Sequence, residues 1–207
     1  MEYALTSQGT FLHVGCGSKN AQSTPFVGMD WKEIRLDIDP RAEPDVIGSM
    51  LDMNEVRSAS VDALFSSHNI EHLYPHEVSL ALQEFKRVLK PSGFALITCP
   101  DLVSVCKLIA DDKLTESAYV SPAGPISPID MLYGFRPAME NGNLYMSHRC
   151  GFTEKVLIST LQSAGFSNIA SITRAEAFDL WAFATIEPWS DHSLRAAASR
   201  LMPVAHV

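Results

Sequence analysis

No stretch of the chain concentrates positive charge: the longest run of basic residues is the pair Lys86-Arg87, and the formal net charge is −8. Following a phosphate backbone takes clustered lysine and arginine, so nucleic acid is not expected as a partner. Cysteine is sparse, and Cys16, Cys99, Cys106 and Cys150 form no C-x-x-C pair. That argues against a zinc knuckle or a disulfide framework and points to a reduced, cytoplasmic setting. No apolar stretch approaches the ~20 residues of a membrane-spanning helix, so no membrane is expected. The opening "MEYALTSQGTFLHV" has no basic segment leading into an apolar one, so no secretory signal is expected. Internal repeats and low-complexity tracts are also missing. What remains, 46% hydrophobic and 19% charged over 207 residues, is the composition of a single domain, 1–207, that can bury its own core.

Strand-like and helix-like segments alternate. "TFLHV" (10–14), "EIRLDI" (33–38), "DVIG" (45–48), "VDALFSS" (61–67) and "FALITC" (94–99) read as strands. The fourth of these is apolar enough to be buried on both faces. Between them, "HEVSLALQEFKRVLK" (76–90) places Val78, Leu82, Phe85 and Leu89 at helical spacing, with Ala81 and Val88 beside them. Glu77 near its start and Lys86, Arg87 and Lys90 near its end match the helix dipole, and "PSG" (91–93) is expected to stop it. A second helix, "EKVLISTLQSA" (154–164), has Thr153 as its cap and Gly165 as its stop. Two strands follow, 168–174 and 178–186. Only "AEA" separates them, too short for a crossover helix, so they should pair antiparallel. The tail from Asp191 could add a terminal helix.

This alternation implies an α/β fold with a mostly parallel sheet covered by helices on both faces. Residues 112–150 stand apart, being rich in Pro, Gly, Ser and Tyr with weak periodicity. A loop of that length in a compact domain is expected to be a lid or substrate insertion.

Two features carry candidate chemistry. The first is Gly15-Cys16-Gly17 directly after a strand, a place for a tight turn and close backbone approach to a ligand. Asn20 stands where the dinucleotide fingerprint needs its third glycine, which weakens a nicotinamide or flavin reading. Asp37 ends the next strand, where an acid can take ribose hydroxyls, and Asp39 follows on the same face; either could serve, or both could cap the turn at Pro40. The second is "SSHNIEHLYPHE" (66–77), whose inner residues His68 to His72 fit H-x-x-E-H. On a helix, His68 and His72 would share a face with Glu71 beside them, as a zinc hydrolase requires. Residues 61–67 read as a strand, however, which puts His68 at a strand end, so no metal is assigned. His76 reads as exposed at a helix start. His148 and Arg149 are open between a lid contact and solvation, and Tyr133 and Tyr145 read as packing residues.

At this point the chain resembles the class I S-adenosylmethionine-dependent methyltransferases. The resemblance rests on "LHVGCGS", "RLDIDP", "GSMLDM", "SVDALFSSHNIEHL", "EFKRVLKPSGFALITCPDL" and "CGFTEKVLISTLQSAGF". It implies a Rossmann-like seven-stranded sheet, mostly parallel with an antiparallel last strand, S-adenosyl-L-methionine as cofactor, and a small molecule as methyl acceptor. Carried over by residue, Gly15, Cys16 and Gly17 would meet the methionine part of the cofactor and Asp37 its ribose, with Ile38 beside it. Ser49, Met50, Leu51 and Asp52 would frame the adenine. Ser67, His68 and Asn69 would stand where the methyl-donor end meets the acceptor. His68 is then the first candidate for acceptor contact and base, with Glu71 and His72 second; that pair could equally brace the turn before Pro75. The chain departs from the family pattern in three ways. His13 replaces the usual acid before the first glycine, Lys19 replaces the third glycine, and residues 18–32 lack a clear helix. These departures, with the short lead before the first strand, imply an open cofactor pocket or one covered by a partner subunit, which admits a homo-oligomer. They also keep alive a non-catalytic relative serving as a partner subunit.

Overall fold

In a computed structural model, the chain is described over residues 2–203. One seven-stranded sheet organises it. Strands β1 (Gln8–Val14), β2 (Asp30–Asp37), β3 (Val46–Ile47), β4 (Val61–Ser67) and β5 (Leu89–Pro100) run parallel. With β8 (Ile169–Arg174) and β9 (Asp179–Thr185), the strand order across the sheet is β3-β2-β1-β4-β5-β9-β8. β8 and β9 pair antiparallel, and β9 is also antiparallel to β5. The expected topology is thus the observed one, and the short link before Phe178 is why the last strand reverses.

Helices α1 (Val78–Val88) and α5 (Glu154–Ser163) cover one face of the sheet. Ala81, Leu82 and Phe85 of α1 and Leu157 and Leu161 of α5 pack there against Leu64, Ile97 and Ala182. The opposite face is covered by α6 (Asp191–Leu201) and by an aromatic cluster. In that cluster Phe26 stacks on Phe11 with 4.2 Å between ring centres. Phe26 lies in the stretch without a helix: residues 18–29 hold only a short 3-10 turn at Ala21–Ser23, and a buried ring fills the place of a helix face. The tail helix forms as expected through Leu201, and residues 204–207 of that reading lie outside the described residues.

Several boundaries differ from the expected ones, and two of them bear on the sheet. The first helix ends at Val88, so Leu89 and Lys90 belong to β5, and Lys90 pairs with Asp62 of β4 at 2.8 Å. Pro91-Ser92-Gly93 is a bulge inside β5, where the register with β4 jumps from Val61–Leu89 to Ala63–Phe94. A bulge tolerates a proline because its missing N–H breaks no ladder bond there.

A further helix, α2 (Leu102–Ala110), was absent from the sequence reading; the Asp101 carboxylate caps it, accepting from the Val103 and Ser104 amides. Residues 112–150 also hold more structure than their composition suggested. They contain the hairpin β6 (Tyr119–Ser121) and β7 (Gly124–Ile126), then α3 (Pro128–Tyr133) and α4 (Arg136–Glu140). Ser127 and Asp130 form a capping box on α3. Among the described residues no helix is long and apolar enough to cross a membrane.

Candidate active site

The chain turns sharply where β1 ends. Gly15 and Gly17 both have positive φ, 62° and 52°, and the Gly15 and Cys16 amides donate to the Leu36 carbonyl at the end of β2. The two glycines do different work. A Cβ on Gly15 would land inside the carboxamide of Asn69, which packs over this residue and donates to the carbonyls of Val14 and Ser67. A Cβ on Gly17 would meet nothing within 4 Å. The open side of the turn is therefore at Gly17, and Gly15 makes room for the protein's own Asn69. Cys16 is buried, so only its backbone faces the turn; burial also pushes its thiol pKa up.

Asp37 stands against this turn. Its Oδ2 accepts from the Gly17 amide at 2.7 Å and its Oδ1 from the Asp39 amide at 2.8 Å. An ionised carboxylate has about four acceptor positions, so each oxygen keeps capacity for a hydroxyl donor. Asp39 is differently engaged: it caps the 3-10 turn Pro40–Ala42 and receives Arg41 bidentately. Arg41 is the first cause holding the Asp39 carboxyl below its ordinary pKa. Ile38, 44% exposed, and Ile47 leave an apolar rim beside Asp37. Across from them, Ser49 to Asp52 form a tight turn closed by the Asp52 amide on the Ser49 carbonyl at 3.0 Å.

Arg35 organises the back of the cradle, and nothing in the sequence singled it out. Its guanidinium donates to the carbonyls of Gly17, Lys19, Ala42 and Glu43, tying the loop after β1 to the loop after β2. A fixed five-donor fork suits four fixed carbonyls. His13, at the family's acidic position, is buried and meets Glu33 Oε1 through Nδ1 at 2.7 Å. Glu33 in turn accepts from the Ala21 amide and so holds the start of the 3-10 turn. Burial pushes the His13 pKa below its ordinary value although Glu33 pulls it up.

The histidines cluster at the end of β4, next to β1 across the Val14–Ser66 register. His68 follows the strand with φ of 55°, outside any helix, and a short 3-10 turn (Ile70–His72) comes next. His68 and His72 therefore do not share a helix face, which removes the layout an H-x-x-E-H hydrolase needs. The His68 side chain is 45% exposed. Glu71 beside it is fully buried, whereas the His68 ring is not. The His68 Nδ1 stands 3.4 Å from the Glu71 Oε1, without hydrogen-bond alignment. Burial pushes the Glu71 pKa up, but His68, His72 and His148 outweigh it and the carboxyl sits below its ordinary value, ionised at neutral pH.

His148 arrives from the end of the 112–150 segment. The Arg149 and Cys150 amides both donate to the Glu71 carbonyl, and Arg149 lies over the Tyr74 ring at 4.7 Å. These contacts strap the segment to the histidine turn and bring the rings of His72 and His148 edge to face, 4.8 Å between centres. Burial holds the His148 pKa below the ordinary imidazole value.

Comparison with known proteins bears on this geometry. Residues 12–97 match the family model described as a methyltransferase domain. That match covers under half of the chain and is a similarity to the family. The fold agrees over most of the chain. An Archaeoglobus fulgidus S-adenosylmethionine-dependent methyltransferase superposes with a TM-score of 0.56 at 14% identity, over 84% of this chain and 85% of that one. A Burkholderia thailandensis 1,6-didemethyltoxoflavin-N1-methyltransferase, solved with 1,6-didemethyltoxoflavin and S-adenosylhomocysteine bound, gives 0.54 at 16%, over 86% and 70%. A Haloferax volcanii putative methyltransferase, in complex with the Trm112 methyltransferase activator, gives 0.54 at 14%, over 86% and 82%. No curated protein matches the chain. These neighbours, at 14–16% identity, share the fold of this chain.

Proposed function

We propose that this protein is an S-adenosylmethionine-dependent methyltransferase that transfers the methyl group to a small-molecule acceptor held at the carboxyl ends of β1 and β4. The observation that carries the reading is the pairing of an open Gly17 with Asp37. The turn leaves room for a ligand beside backbone at Gly17, and Asp37, whose oxygens keep spare acceptor capacity, is bonded to that same residue. Bound S-adenosylmethionine supplies an electrophilic sulfonium methyl. Asp37 accepts the ribose hydroxyls, and its backbone bonds keep both of its oxygens fixed for that task. Gly15, Cys16 and Gly17 offer backbone to the methionine part. Ile38 and the turn Ser49-Met50-Leu51-Asp52 bracket the adenine between an apolar side chain and backbone edges. Asn69 acts on the glycine turn from behind, and Ser67 ends the strand that carries the reactive side chains.

His68 is the acceptor's base in this reading. It is exposed and sits at a strand end in an α/β crevice, and an imidazole nitrogen can take the proton of a hydroxyl or amine. Glu71 and His72 are positioning residues, since Glu71 is buried and His72 Nδ1 bonds the Ser147 carbonyl at 3.1 Å. The 112–150 segment covers the acceptor side, with Tyr133, Leu144 and Tyr145 exposed as candidate contacts. The toxoflavin-precursor enzyme among the structural neighbours is consistent with a small acceptor.

Titration calorimetry with S-adenosylhomocysteine tests the cofactor site. Asp37→Asn should weaken binding about 10- to 100-fold, the worth of hydrogen bonds to a charged acceptor. No heat with the unmodified protein at millimolar ligand would sink the reading and leave a non-catalytic partner subunit in its place. A metabolite mixture screened for S-adenosylhomocysteine release then identifies the acceptor. On that acceptor, His68→Ala should lower kcat while cofactor affinity stays within about twofold, as expected for a group acting on the proton in flight.

A further inference from the structure

We propose that Glu71, His72 and His148 form a binding site for one divalent transition-metal cation of the zinc class. One donor atom from each, a carboxylate oxygen and two ring nitrogens, lies within 4.8 Å of the others. A tetrahedral zinc site with ligand bonds near 2.0–2.1 Å needs donors about 3.4 Å apart, so small side-chain rotations close the set around an ion.

Two independent observations say that something belongs there. Both carboxylate oxygens of Glu71 are buried without a hydrogen-bond partner. Buried carboxylates are paired or coordinate metals, and one whose ion-pair contact is a half-exposed imidazole at 3.4 Å, without an aligned hydrogen bond, calls for a specific explanation such as an ion or a water. The histidines are also prepared as ligands. The Nδ1 of His72 faces the Ser147 carbonyl at 3.1 Å, and that of His148 faces the Met131 carbonyl at 2.9 Å. A carbonyl can only accept, so each Nδ1 carries the ring proton and each Nε2 presents a lone pair. A metal-binding histidine is oriented in this way, its second nitrogen donating to a carbonyl.

Two histidines and one carboxylate are borderline ligands that favour zinc over calcium or magnesium, which take oxygen shells. Three protein ligands also leave one position open, the count of a working rather than a purely structural zinc site. His68, 3.4 Å from Glu71, stands next to the ion outside the three-ligand set. The site ties the lid segment to the end of β4, since His148 comes from the former and Glu71 and His72 follow the latter. An occupied site would fix the strap that closes the acceptor side.

The proposal does not depend on the methyltransferase reading. Zinc binding reports on the ion alone and S-adenosylhomocysteine binding on the cofactor cleft, so either can fail without the other. The test takes the full chain stripped with a chelator and titrates it with zinc, followed by cobalt substitution and visible spectroscopy. One equivalent per chain is expected, with the intense d–d bands of a low-coordinate cobalt site. His148→Gln and Glu71→Gln should each weaken zinc binding at least tenfold and remove those bands; should Glu71→Gln fail to fold, His148→Gln decides. Cys106→Ser, at the exposed thiol, should leave both unchanged. Absence of stoichiometric zinc in the unmodified chain, or affinity that His148→Gln leaves intact, overturns the site.

Discussion

Gly15 and Gly17 look equivalent as letters and are opposite as residues. Both adopt left-handed backbone, which costs an L-residue about 1–2 kcal/mol. Only Gly15 also faces a packed side chain, the Asn69 carboxamide. Gly17→Ala should therefore cost about 1 kcal/mol in denaturant unfolding and lose S-adenosylhomocysteine affinity, because the new methyl enters the open cradle. Gly15→Ala should cost about 3 kcal/mol, adding the displacement of Asn69 and its bonds to Val14 and Ser67. If the two variants lose equal stability, the division of labour is wrong. The glycine turn and Asp37 were legible because positive-φ glycine and an acid after the second strand follow from local backbone rules. Asn69's contact with Gly15 and Arg35's grip on four carbonyls were not, since each joins segments that only the closed sheet brings together.

Among the elements, α1 was readable because five of its eleven residues are buried at helical spacing. The 112–150 segment was not, because its elements are short and are fixed by caps and ion pairs rather than by apolar periodicity. Asp130 shows how. It closes the capping box on α3, accepts from the Ser127 hydroxyl at 2.5 Å, and pairs with Arg136 Nε at 2.6 Å. Burial pushes its carboxyl up, but Arg136 and Ser127 outweigh that and hold it at about 2, below the ordinary 3.8. A carboxylate depressed on folding stabilises the fold above its unfolded pKa and loses that contribution as pH falls toward the folded value. Asp130→Asn should thus speed amide exchange across 127–136 at pH 7, and the gap to the unmodified protein should close between pH 4 and pH 2. A gap that persists at pH 2 would mean the carboxylate's charge is not what orders this segment. The same logic explains why a segment of weak periodicity holds short, defined elements. Proline, glycine and serine mark turns, and here the turns join real elements.

At the scale of the whole molecule, the order β3-β2-β1-β4-β5-β9-β8 reverses direction between β1 and β4, and open α/β sheets bind ligands at the carboxyl ends beside such a reversal. The glycine turn follows β1 and His68 follows β4, so both candidate features fall at that point. Strand alternation and the short final link sufficed to place them there. The cluster of Glu71, His72 and His148 is not legible in the sequence because a backbone strap between distant segments brings His148 to Glu71. A ligand gripped by residues after β1, β2, β3 and β4 binds the folded chain alone, so its binding energy adds to the stability of the whole sheet. At 100 times its dissociation constant, S-adenosylhomocysteine should add about 2.7 kcal/mol, which for a domain of this size raises the melting temperature by roughly 5–10 °C. Thermal melts over a ligand series check this, and Asp37→Asn should need about 10- to 100-fold more ligand for the same rise. A melting temperature that ignores the ligand, in a chain that still binds it by calorimetry, would place the nucleoside on a surface outside this crevice.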